Sequence, residues 1–541
     1  MGVYSLVVYS FIFFSIFIDV FCMQSSRIVE TREGQIEGFL SNNGLYYEFC
    51  GIRYGVVKGR YMAPVDPPSF SGIYSADNRV VLCPQFPSTD PLAALSDNCD
   101  CLVLNVFVPS FTNDSLPVMV FLHGGDFGVG GSSPYFYGPN FLISHGVIVV
   151  TVNYRLNAFG FLNLGIEEAP GNAGLKDIRA ALRWIKTNIG NFGGAADNVT
   201  VFGQGSGGVA AIYLTLSKSC KGLFERIISE SGSLFTPKSF DGNPLGTASQ
   251  IAKCLGINSD NAIELYDLYE DVDINQLELA IGSQMNAKSV FLPSVEEYHD
   301  NDPFLTDIPY NILCDENFSP VPAIFCLNAV EGLASTLDYY TITSQVDRLK
   351  HEDFTCIDQR SLNGTENEKK KIRDILKSTY FSNLDDDEAI IGGLINLNSD
   401  FCYVGPMSLF VDMYANNSNS VYQCIFNHIG KRNLGKILTN TTLDTTTNMD
   451  ELFYIFDLER MSLPLNEEDA RIITFMTMMW TNFAKHGNPT PDVNNGEWAP
   501  HPHNLAIALE PQYVQPLTVE RSAFWRNLYL EYGTEVKKSN E

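Results

Sequence analysis

Short runs of β-branched and apolar residues alternate with amphipathic stretches along this chain, and that alternation constrains its fold more than any other feature. The clearest runs are Val118–Leu122, Val147–Val152 and Val199–Phe202. The stretch Asp177–Ile189 instead places its apolar residues at helical spacing and ends near Gly190, a common helix stop. Strands that alternate with helices are typical of a mostly parallel sheet with helices on both faces. The sequence therefore predicts an α/β fold built on a large central sheet.

The charge balance excludes one class of partner. The 541 residues include 35 Lys and Arg against 63 Asp and Glu, which gives a formal net charge of −28. Because phosphate binding needs clustered cations, nucleic acid is not expected as a partner. Hydrophobic residues make up 45% of the chain, which is enough to bury a large core and excludes disorder as its overall state.

The N-terminal segment predicts how the chain is targeted. Positions 3–22 form an apolar run whose only charge is Asp19, and Val20 and Cys22 are small enough for a signal-peptidase site. We therefore predict a signal peptide over residues 1–22 and a protein that is secreted or kept in the lumen of the secretory pathway. An uncleaved membrane anchor is the alternative, because the run is long and no Lys or Arg precedes it. No later run is long and apolar enough to span a bilayer, so no membrane span is expected after cleavage.

Glycosylation signals and cysteines point to the same compartment. Six Asn-x-Ser/Thr sequons occur, and each is a predicted N-glycosylation site of a secreted chain. They are Asn113, Asn198, Asn317, Asn363, Asn416 and Asn440. Most of the 12 cysteines are expected to form disulfides, since oxidising compartments favour them. The sequence has no Cys-x-x-Cys pair, so neither a metal site nor another cofactor is predicted.

A glycine-rich segment directly follows the first of the predicted strands. His123–Phe127 reads HGGDF, and its glycines let backbone N–H groups point at one spot, as an oxyanion hole requires. Further motifs follow in a fixed order. They are Val152–Leu156 (VNYRL), Gly171–Asp177 (GNAGLKD), Asn191–Gly194 (NFGG), Gly222–Phe224 (GLF), Ser231–Ser233 (SGS) and Asn482–Pro489 (NFAKHGNP). In this order and spacing the motifs closely resemble the type-B carboxylesterase/cholinesterase family.

This resemblance implies one large α/β-hydrolase domain over residues 23–541. It also implies a catalytic triad in the chain order Ser, Glu, His, together with an oxyanion hole. The positions that match the oxyanion hole are Gly125, Asp126 and Ser206. Asp126 stands where the family usually has Gly or Ala, and a carboxylate facing the site would oppose the negative charge that develops there. The alternative is that Asp126 points to solvent.

Two of the three triad positions depart from the family pattern. The G-x-S-x-G turn that carries the nucleophile in active members reads GQGSG here, which puts Gly205 at the nucleophile position. Asn448 lies at the position of the histidine, just before the run ELFYIF, and an amide cannot accept a proton near neutral pH. The third position, Glu331, retains the acidic residue of the triad. The resemblance therefore implies an inactive homologue, and we predict that the Asn448 amide donates to the buried Glu331 carboxylate.

The resemblance also implies part of the disulfide pattern. Cys83 and Cys101 match the ends of the family's first disulfide loop and are predicted to pair. Cys254 and Cys402 match other family cysteines but lack a cysteine at the usual partner positions. Cys402 with Cys424 is therefore one candidate pairing. The sequence leaves open the pairing of Cys99, Cys220, Cys254, Cys314, Cys326, Cys356, Cys402 and Cys424.

The leading functional hypothesis is a non-catalytic relative of the cholinesterases that acts through its surface. Its role would be binding, adhesion, matrix or storage, with a protein or extracellular-matrix partner, and its oligomeric state stays open. The first alternative is a weak or unusual carboxylic-ester hydrolase that uses Ser206. The second is a dinucleotide-binding protein, because Gly203, Gly205 and Gly208 form a G-x-G-x-x-G turn and the acidic Glu230 follows about 20 residues later.

Overall fold

The computed structural model describes most of the chain from residue 25 onward. The described residues are 25–85, 100–111, 115–283, 291–297, 302–336, 339–351, 365–418, 420–439, 443–461, 463–492, 497–514 and 519–533. The predicted signal peptide over residues 1–22 lies outside them.

Most of the strands in the described residues join one sheet. In chain order the strands are β1 (Ser26–Glu30), β2 (Gln35–Leu40), β3 (Tyr46–Arg53), β4 (Ile73–Ser75), β5 (Val103–Pro109), β6 (Leu116–Leu122), β7 (Ile148–Val152), β8 (Asn163–Ile166), β9 (Ala169–Pro170), β10 (Gly194–Gln204), β11 (Arg226–Glu230), β12 (Ala323–Asn328), β13 (Val421–Phe426), β14 (Asn504–Ile507) and β15 (Gln512–Val514). A 13-stranded sheet takes the order β1-β2-β3-β5-β7-β6-β10-β11-β12-β13-β14-β15, with β4 beside β2, while β8 and β9 pair separately.

The centre of this sheet is parallel. Every neighbouring pair from β7 through β6, β10, β11, β12 and β13 to β14 runs in the same direction. The three predicted runs form β6, β7 and the second half of β10, and all three are largely buried. Parallel neighbours need long crossover connections, which helices usually supply. The predicted α/β fold with a large, mostly parallel sheet is therefore confirmed.

Helices cover both faces of the sheet. They are α1 (Asn140–Ile143), α2 (Asn157–Phe161), α3 (Ala173–Asn188), α4 (Ser206–Leu216), α5 (Pro244–Cys254), α6 (Ala262–Asp271), α7 (Ile274–Ser283), α8 (Pro309–Cys314), α9 (Leu333–Thr336), α10 (Tyr339–Lys350), α11 (Glu366–Tyr380), α12 (Asp387–Ser399), α13 (Gly405–Ala415), α14 (Leu434–Thr439), α15 (Glu467–His486) and α16 (Val519–Tyr532). Because side chains alternate along a strand, Val118 and Val120 of β6 join the core that contains α3 and α4. Met119 and Phe121 join the core that contains Trp480 of α15. None of the helices in the described part of the chain is long and apolar enough to cross a membrane.

Two disulfides connect described residues. Cys83 bonds to Cys101, as the sequence predicts. Cys424 bonds to Cys326, so the candidate pairing of Cys402 with Cys424 is wrong. The reason is strand register: Cys326 of β12 lies directly opposite Cys424 of β13, with the two Cα atoms 4.6 Å apart. Cys99 and Cys356 lie outside the described residues.

Three of the six predicted glycosylation sites lie in the described chain. Asn317 and Asn416 are exposed, whereas Asn198 is half-buried on β10, where its side-chain oxygen accepts a hydrogen bond from Arg226. Attachment of a glycan requires an accessible side-chain amide. Asn317 and Asn416 therefore meet that requirement best. The other three sequons lie outside the described residues and are Asn113, Asn363 and Asn440.

Candidate active site

The chain turns from β10 into α4 at a single residue, Gly205. Its backbone angles are φ 54° and ψ −123°, a region that residues with a side chain enter only under strain. A strand-to-helix turn of this kind is where α/β-hydrolases expose their nucleophile. A Cβ atom built on Gly205 would meet no heavy atom within 4 Å beyond its two neighbours in the chain. The turn therefore has room for a side chain that the sequence does not supply.

Three polar side chains are linked beside this turn. Asn448 Nδ2 donates to Glu331 Oε2 at 2.8 Å, and Gln204 Nε2 donates to Asn448 Oδ1 at 3.1 Å. The predicted hydrogen bond between Asn448 and Glu331 is therefore confirmed. Sequence reasoning missed Gln204, and its place directly before the turn was the signal that could have identified it. Because both ends of the Asn448 amide have partners, the orientation of this side chain is fixed.

Burial and hydrogen bonds together hold Glu331 in place. Its carboxylate is buried, and Oε1 accepts hydrogen bonds from Ser231 Oγ and from the backbone N–H of Asn328, both at 2.6 Å. Burial raises the pKa of the Glu331 carboxyl above its usual value, and these hydrogen bonds oppose the rise. A second contact joins the same two loops. The backbone N–H of Ala329, in the loop after β12, donates to the Thr446 hydroxyl at 3.0 Å, which holds the segment that carries Asn448 next to Glu331.

Ser206 begins α4, directly after the turn, and it is buried. Its Oγ accepts a hydrogen bond from the backbone N–H of Phe127 at 3.2 Å. An attacking serine needs a base within hydrogen-bond reach. The Ser206 hydroxyl is instead engaged with the glycine-rich loop, and it ties that loop to the start of α4.

The glycine-rich loop after β6 has three successive residues with positive φ. The angles are 118° at Gly125, 56° at Asp126 and 57° at Phe127. This backbone turns the Asp126 side chain toward Lys238, and Asp126 Oδ2 lies 3.0 Å from Lys238 Nζ. The Asp126 side chain is 42% exposed and that of Lys238 is 33% exposed. Asp126 is thus part of a half-exposed ion pair.

Sequence reasoning missed Lys238, and no motif marks it. It lies 112 positions from Asp126 in the chain, in the loop that follows β11. Only the packing of that loop against the glycine-rich loop brings the two charges together. Because the ammonium neutralises much of the carboxylate's field, the repulsion expected of an isolated Asp126 is reduced.

His123 directly follows β6, close to the turn in space, and it is buried. Burial lowers the pKa of the His123 imidazole to about 4. The ring stacks on Tyr154 with centroids 4.5 Å apart, and Nδ1 lies 2.9 Å from the carbonyl oxygen of Gly124, to which it donates. His123 is therefore a neutral packing residue that supports the loop.

The dinucleotide alternative depends on Glu230, which the structure buries at the end of β11. Trp480 Nε1 donates to Glu230 Oε1 at 2.9 Å, and burial raises the pKa of Glu230 well above its ordinary value. A ribose hydroxyl needs an exposed carboxylate, as at the second strand of a nucleotide-binding unit. Glu230 has no exposed surface with which to bind one. Within the described chain, no group of three or more His, Cys, Asp or Glu side chains is placed to hold a metal ion.

A buried carboxyl supports the glycine-rich loop from α7. Asn157 Nδ2 donates both to the Gly128 carbonyl at 3.0 Å and to Glu278 Oε2 at 3.1 Å. Burial raises the pKa of the Glu278 carboxyl to about 8, from an ordinary value of 4.5. The other side-chain oxygens of Glu278 and Asn157 are both buried without a hydrogen-bond partner among the described residues. A protonated Glu278 supplies the hydroxyl that could donate to Asn157.

Glu278→Gln is expected to stabilise the protein at alkaline pH. Between about pH 4.5 and 8 the folded state holds a proton on Glu278 that the unfolded chain releases, so this group makes stability fall by about 1.4 kcal/mol per pH unit as pH rises. Glutamine keeps the contact with Asn157 and cannot ionise. We expect the variant to gain about 4 kcal/mol in free energy of unfolding at pH 8 and less than about 1 kcal/mol at pH 5, measured by urea unfolding at both pH values. Glu167→Gln, at an exposed turn, is the control and should show neither change.

Comparisons with known proteins agree on one family. A sequence model of the carboxylesterase family matches residues 25–525. Carboxylesterase 1C of Rattus norvegicus is 30% identical over 539 residues, which cover 93% of this chain and 94% of the relative. Acetylcholinesterase of Bungarus fasciatus is 29% identical over 537 residues, which cover 92% of this chain and 86% of the relative. A solved structure also matches, that of juvenile hormone esterase from Manduca sexta with OTFP covalently attached. Its TM-score is 0.81 at 23% identity, over 94% of this chain and 99% of that one, so the two proteins share a fold.

Proposed function

Because the chain belongs to the carboxylesterase family, we propose that its function is the one left to a member without a catalytic nucleophile. It is a secreted, non-catalytic protein that acts through its surface on a protein or extracellular-matrix partner. The observation that carries this proposal is Gly205 at the apex of the turn between β10 and α4. Glycine has no atom that can attack an ester, and removal of a hydrolase nucleophile costs about 10⁶ in turnover, or ~8 kcal/mol of transition-state stabilisation.

The surroundings of Gly205 support the same proposal. The side chain linked to Glu331 is an amide, and both its ends are occupied by Glu331 and Gln204. An amide at the histidine position cannot accept a proton from a nucleophile, so it cannot act as a general base. The loop with the oxyanion-hole positions carries the half-exposed ion pair of Asp126 and Lys238, which places charged side chains where a hydrolase collects N–H donors.

The surface of the chain suits a soluble binding role outside the cell. The net charge of −28 keeps such a protein dispersed and favours basic partners over acidic ones. Asn317 and Asn416 are exposed sequons, as expected of a glycoprotein that passes through the secretory pathway.

Direct assays of the purified secreted protein test the loss of catalysis. We expect no turnover of a chromogenic short-chain ester above the rate in buffer and no covalent adduct with an organophosphate, because Gly205 supplies no hydroxyl and Asn448 cannot act as a base. Mass spectrometry of the intact protein detects an adduct on any residue. Turnover and labelling that both disappear in Ser206→Ala would instead support the alternative of an unusual hydrolase, and would refute the proposal.

The binding role is tested in the medium in which the protein would act. The glycosylated chain is used as bait in extracellular medium, with the same protein unfolded by heat as the control. A partner retained only by the folded bait, and released as ionic strength rises, is the expected result for an acidic binding surface. Retention of the same proteins by both baits would count against a specific partner.

A further inference from the structure

A cavity lies at the far end of α4 from the candidate active site. It has a volume of about 350 Å³, and its wall includes Leu216 at the end of α4, Lys218, Asp302, Phe304 and Asn317. Since α4 has 11 residues and a helix rises about 1.5 Å per residue, this cavity is about 16 Å from Gly205. It is therefore a separate feature from the turn and its polar side chains.

The cavity wall combines apolar and polar surface. Half-buried Pro303 supplies the accessible apolar surface, whereas Leu216 and Phe304 are buried. Lys218, Ser219 and Asp302 supply an ammonium, a hydroxyl and a carboxylate. A sugar ring has the matching character, because its C–H face is apolar while its edge carries hydroxyl and amide groups that bond to such polar side chains. The volume of 350 Å³ is at the small end of ligand pockets, which span roughly 300–1,000 Å³, so it suits one sugar unit better than an extended oligosaccharide.

Asn317 brings a sequon to the edge of this cavity. It is exposed, and it is followed by Phe318 and Ser319, which complete the sequon. The backbone around it is held on both sides, since Asn317 N–H donates to the Ile312 carbonyl at 3.0 Å and Ser319 N–H donates to the Thr215 carbonyl at 2.9 Å. The side chain of Asn317 thus projects from a fixed backbone next to a cavity that it helps to line.

We propose that Asn317 is N-glycosylated and that the first N-acetylglucosamine of its glycan packs into this cavity as part of the fold. This inference depends on the proposed passage through the secretory pathway. There, a lipid-linked diphosphate oligosaccharide gives its sugar chain to Asn317: a bond forms between Nδ2 and the sugar C1, Nδ2 loses a proton, and the lipid diphosphate leaves. The attached sugar then contacts Pro303 and the polar side chains of the wall, which stabilises the folded state because these contacts are absent in the unfolded chain.

The matched control for this proposal is Asn416, a second exposed sequon, which follows α13 and does not line the cavity. The full chain is expressed in secreting cells that keep glycans in the high-mannose form, and peptide mass spectrometry measures occupancy at each sequon. We expect Asn317→Gln to lower Tm by about 1–3 °C, and Asn416→Gln to leave Tm unchanged. Trimming the wild-type glycans to a single N-acetylglucosamine should preserve Tm, whereas complete removal should lower it as far as Asn317→Gln does.

Two results would overturn the proposal. One is an unoccupied Asn317 in a protein whose Asn416 carries a glycan, which would leave the proposed secretion intact. The other is an occupied Asn317 whose loss changes Tm no more than the loss of the Asn416 glycan. If no sequon is occupied, both this inference and the proposed secretory route are wrong.

Discussion

Gly205→Ser combined with Asn448→His is expected to turn this protein into an ester hydrolase. The serine Cβ has room, since no heavy atom beyond its two neighbours in the chain lies within 4 Å of its position, and the positive φ of Gly205 is the strained geometry of an exposed nucleophile. We expect turnover of a chromogenic short-chain ester to rise by at least about 10³ over the wild type, which is a fraction of the ~10⁶ that a complete triad contributes. An organophosphate should label Ser at position 205.

The histidine in this variant can replace Asn448 in its hydrogen bond to Glu331. Asn448 Nδ2 already donates to Glu331 Oε2 at 2.8 Å, and an imidazole Nδ1–H on the same backbone can make that bond. The carboxylate then holds the ring with Nε2 directed away from Glu331, as a general base requires. Gln204, which now donates to the Asn448 oxygen, loses that acceptor. This loss is one reason to expect less than full activity.

Two single variants and a third substitution separate the contributions of the nucleophile, the base and the Asp126 carboxylate to the expected activity. Gly205→Ser alone lacks a base and Asn448→His alone lacks a nucleophile, so each should stay close to the wild-type rate. Adding Asp126→Gly to the double variant should raise the rate further, because it removes the carboxylate beside Lys238 from the oxyanion loop. A double variant that keeps the wild-type Tm but neither turns over ester nor takes the organophosphate label would refute our assignment of Gly205 and Asn448.

The parts of the site that lie in linear motifs could be predicted from the sequence. The sequence places Asn448 against Glu331 because Glu331 lies within one distinctive segment and Asn448 just before another, and because a buried carboxylate needs a donor. The apolar spacing of Asp177–Ile189 predicts a helix, and this segment forms most of α3. Periodicity gives the type of an element well, because burial on one side imposes the period directly.

The partners that reach the site from outside the motifs could not be predicted. Lys238 meets Asp126 only because the loop after β11 packs on the glycine-rich loop. Sequence spacing carries no information about such a contact, since many conformations of a loop satisfy the same pattern of residues. For this reason the sequence allows two orientations of Asp126, facing the site or facing solvent. The observed ion pair is a third arrangement.

The disulfide between Cys326 and Cys424 was missed for a related reason. Each of these cysteines lies within a short apolar run of the sequence. Whether they can pair depends on whether β12 and β13 are neighbours in the sheet and on the register between them. Neither property follows from the runs themselves. The family pattern directed attention to Cys402, which lies in a helical segment at residues 400–404, and so away from the strand that actually faces Cys424.

Cys326→Ala combined with Cys424→Ala is expected to produce the largest loss of stability of any variant described. The bond closes a segment of 98 residues, and in the chain-entropy model a cross-link of that length stabilises by about 4–5 kcal/mol, chiefly by restricting the unfolded chain. Both sulfur atoms are buried in the core beside β11 and β14, so the lost packing adds to the effect. Urea unfolding of the purified double variant, compared with the wild type, measures the difference.

The single variant Cys326→Ala separates the cross-link from the packing. It breaks the same bond but leaves the Cys424 sulfur in place, so it should lose most of the 4–5 kcal/mol if the cross-link dominates. Cys314→Ala removes one exposed thiol from α8 and should change stability by less than about 0.5 kcal/mol. β12 leads directly into the loop that carries Glu331, and the Thr446 hydroxyl donates to the carbonyl oxygen of Phe426 at the end of β13. Breaking the bond should therefore also weaken the contact of Asn448 with Glu331. A double variant as stable as the wild type would mean that strand pairing alone holds this part of the sheet, and that the bond between the cysteines adds nothing.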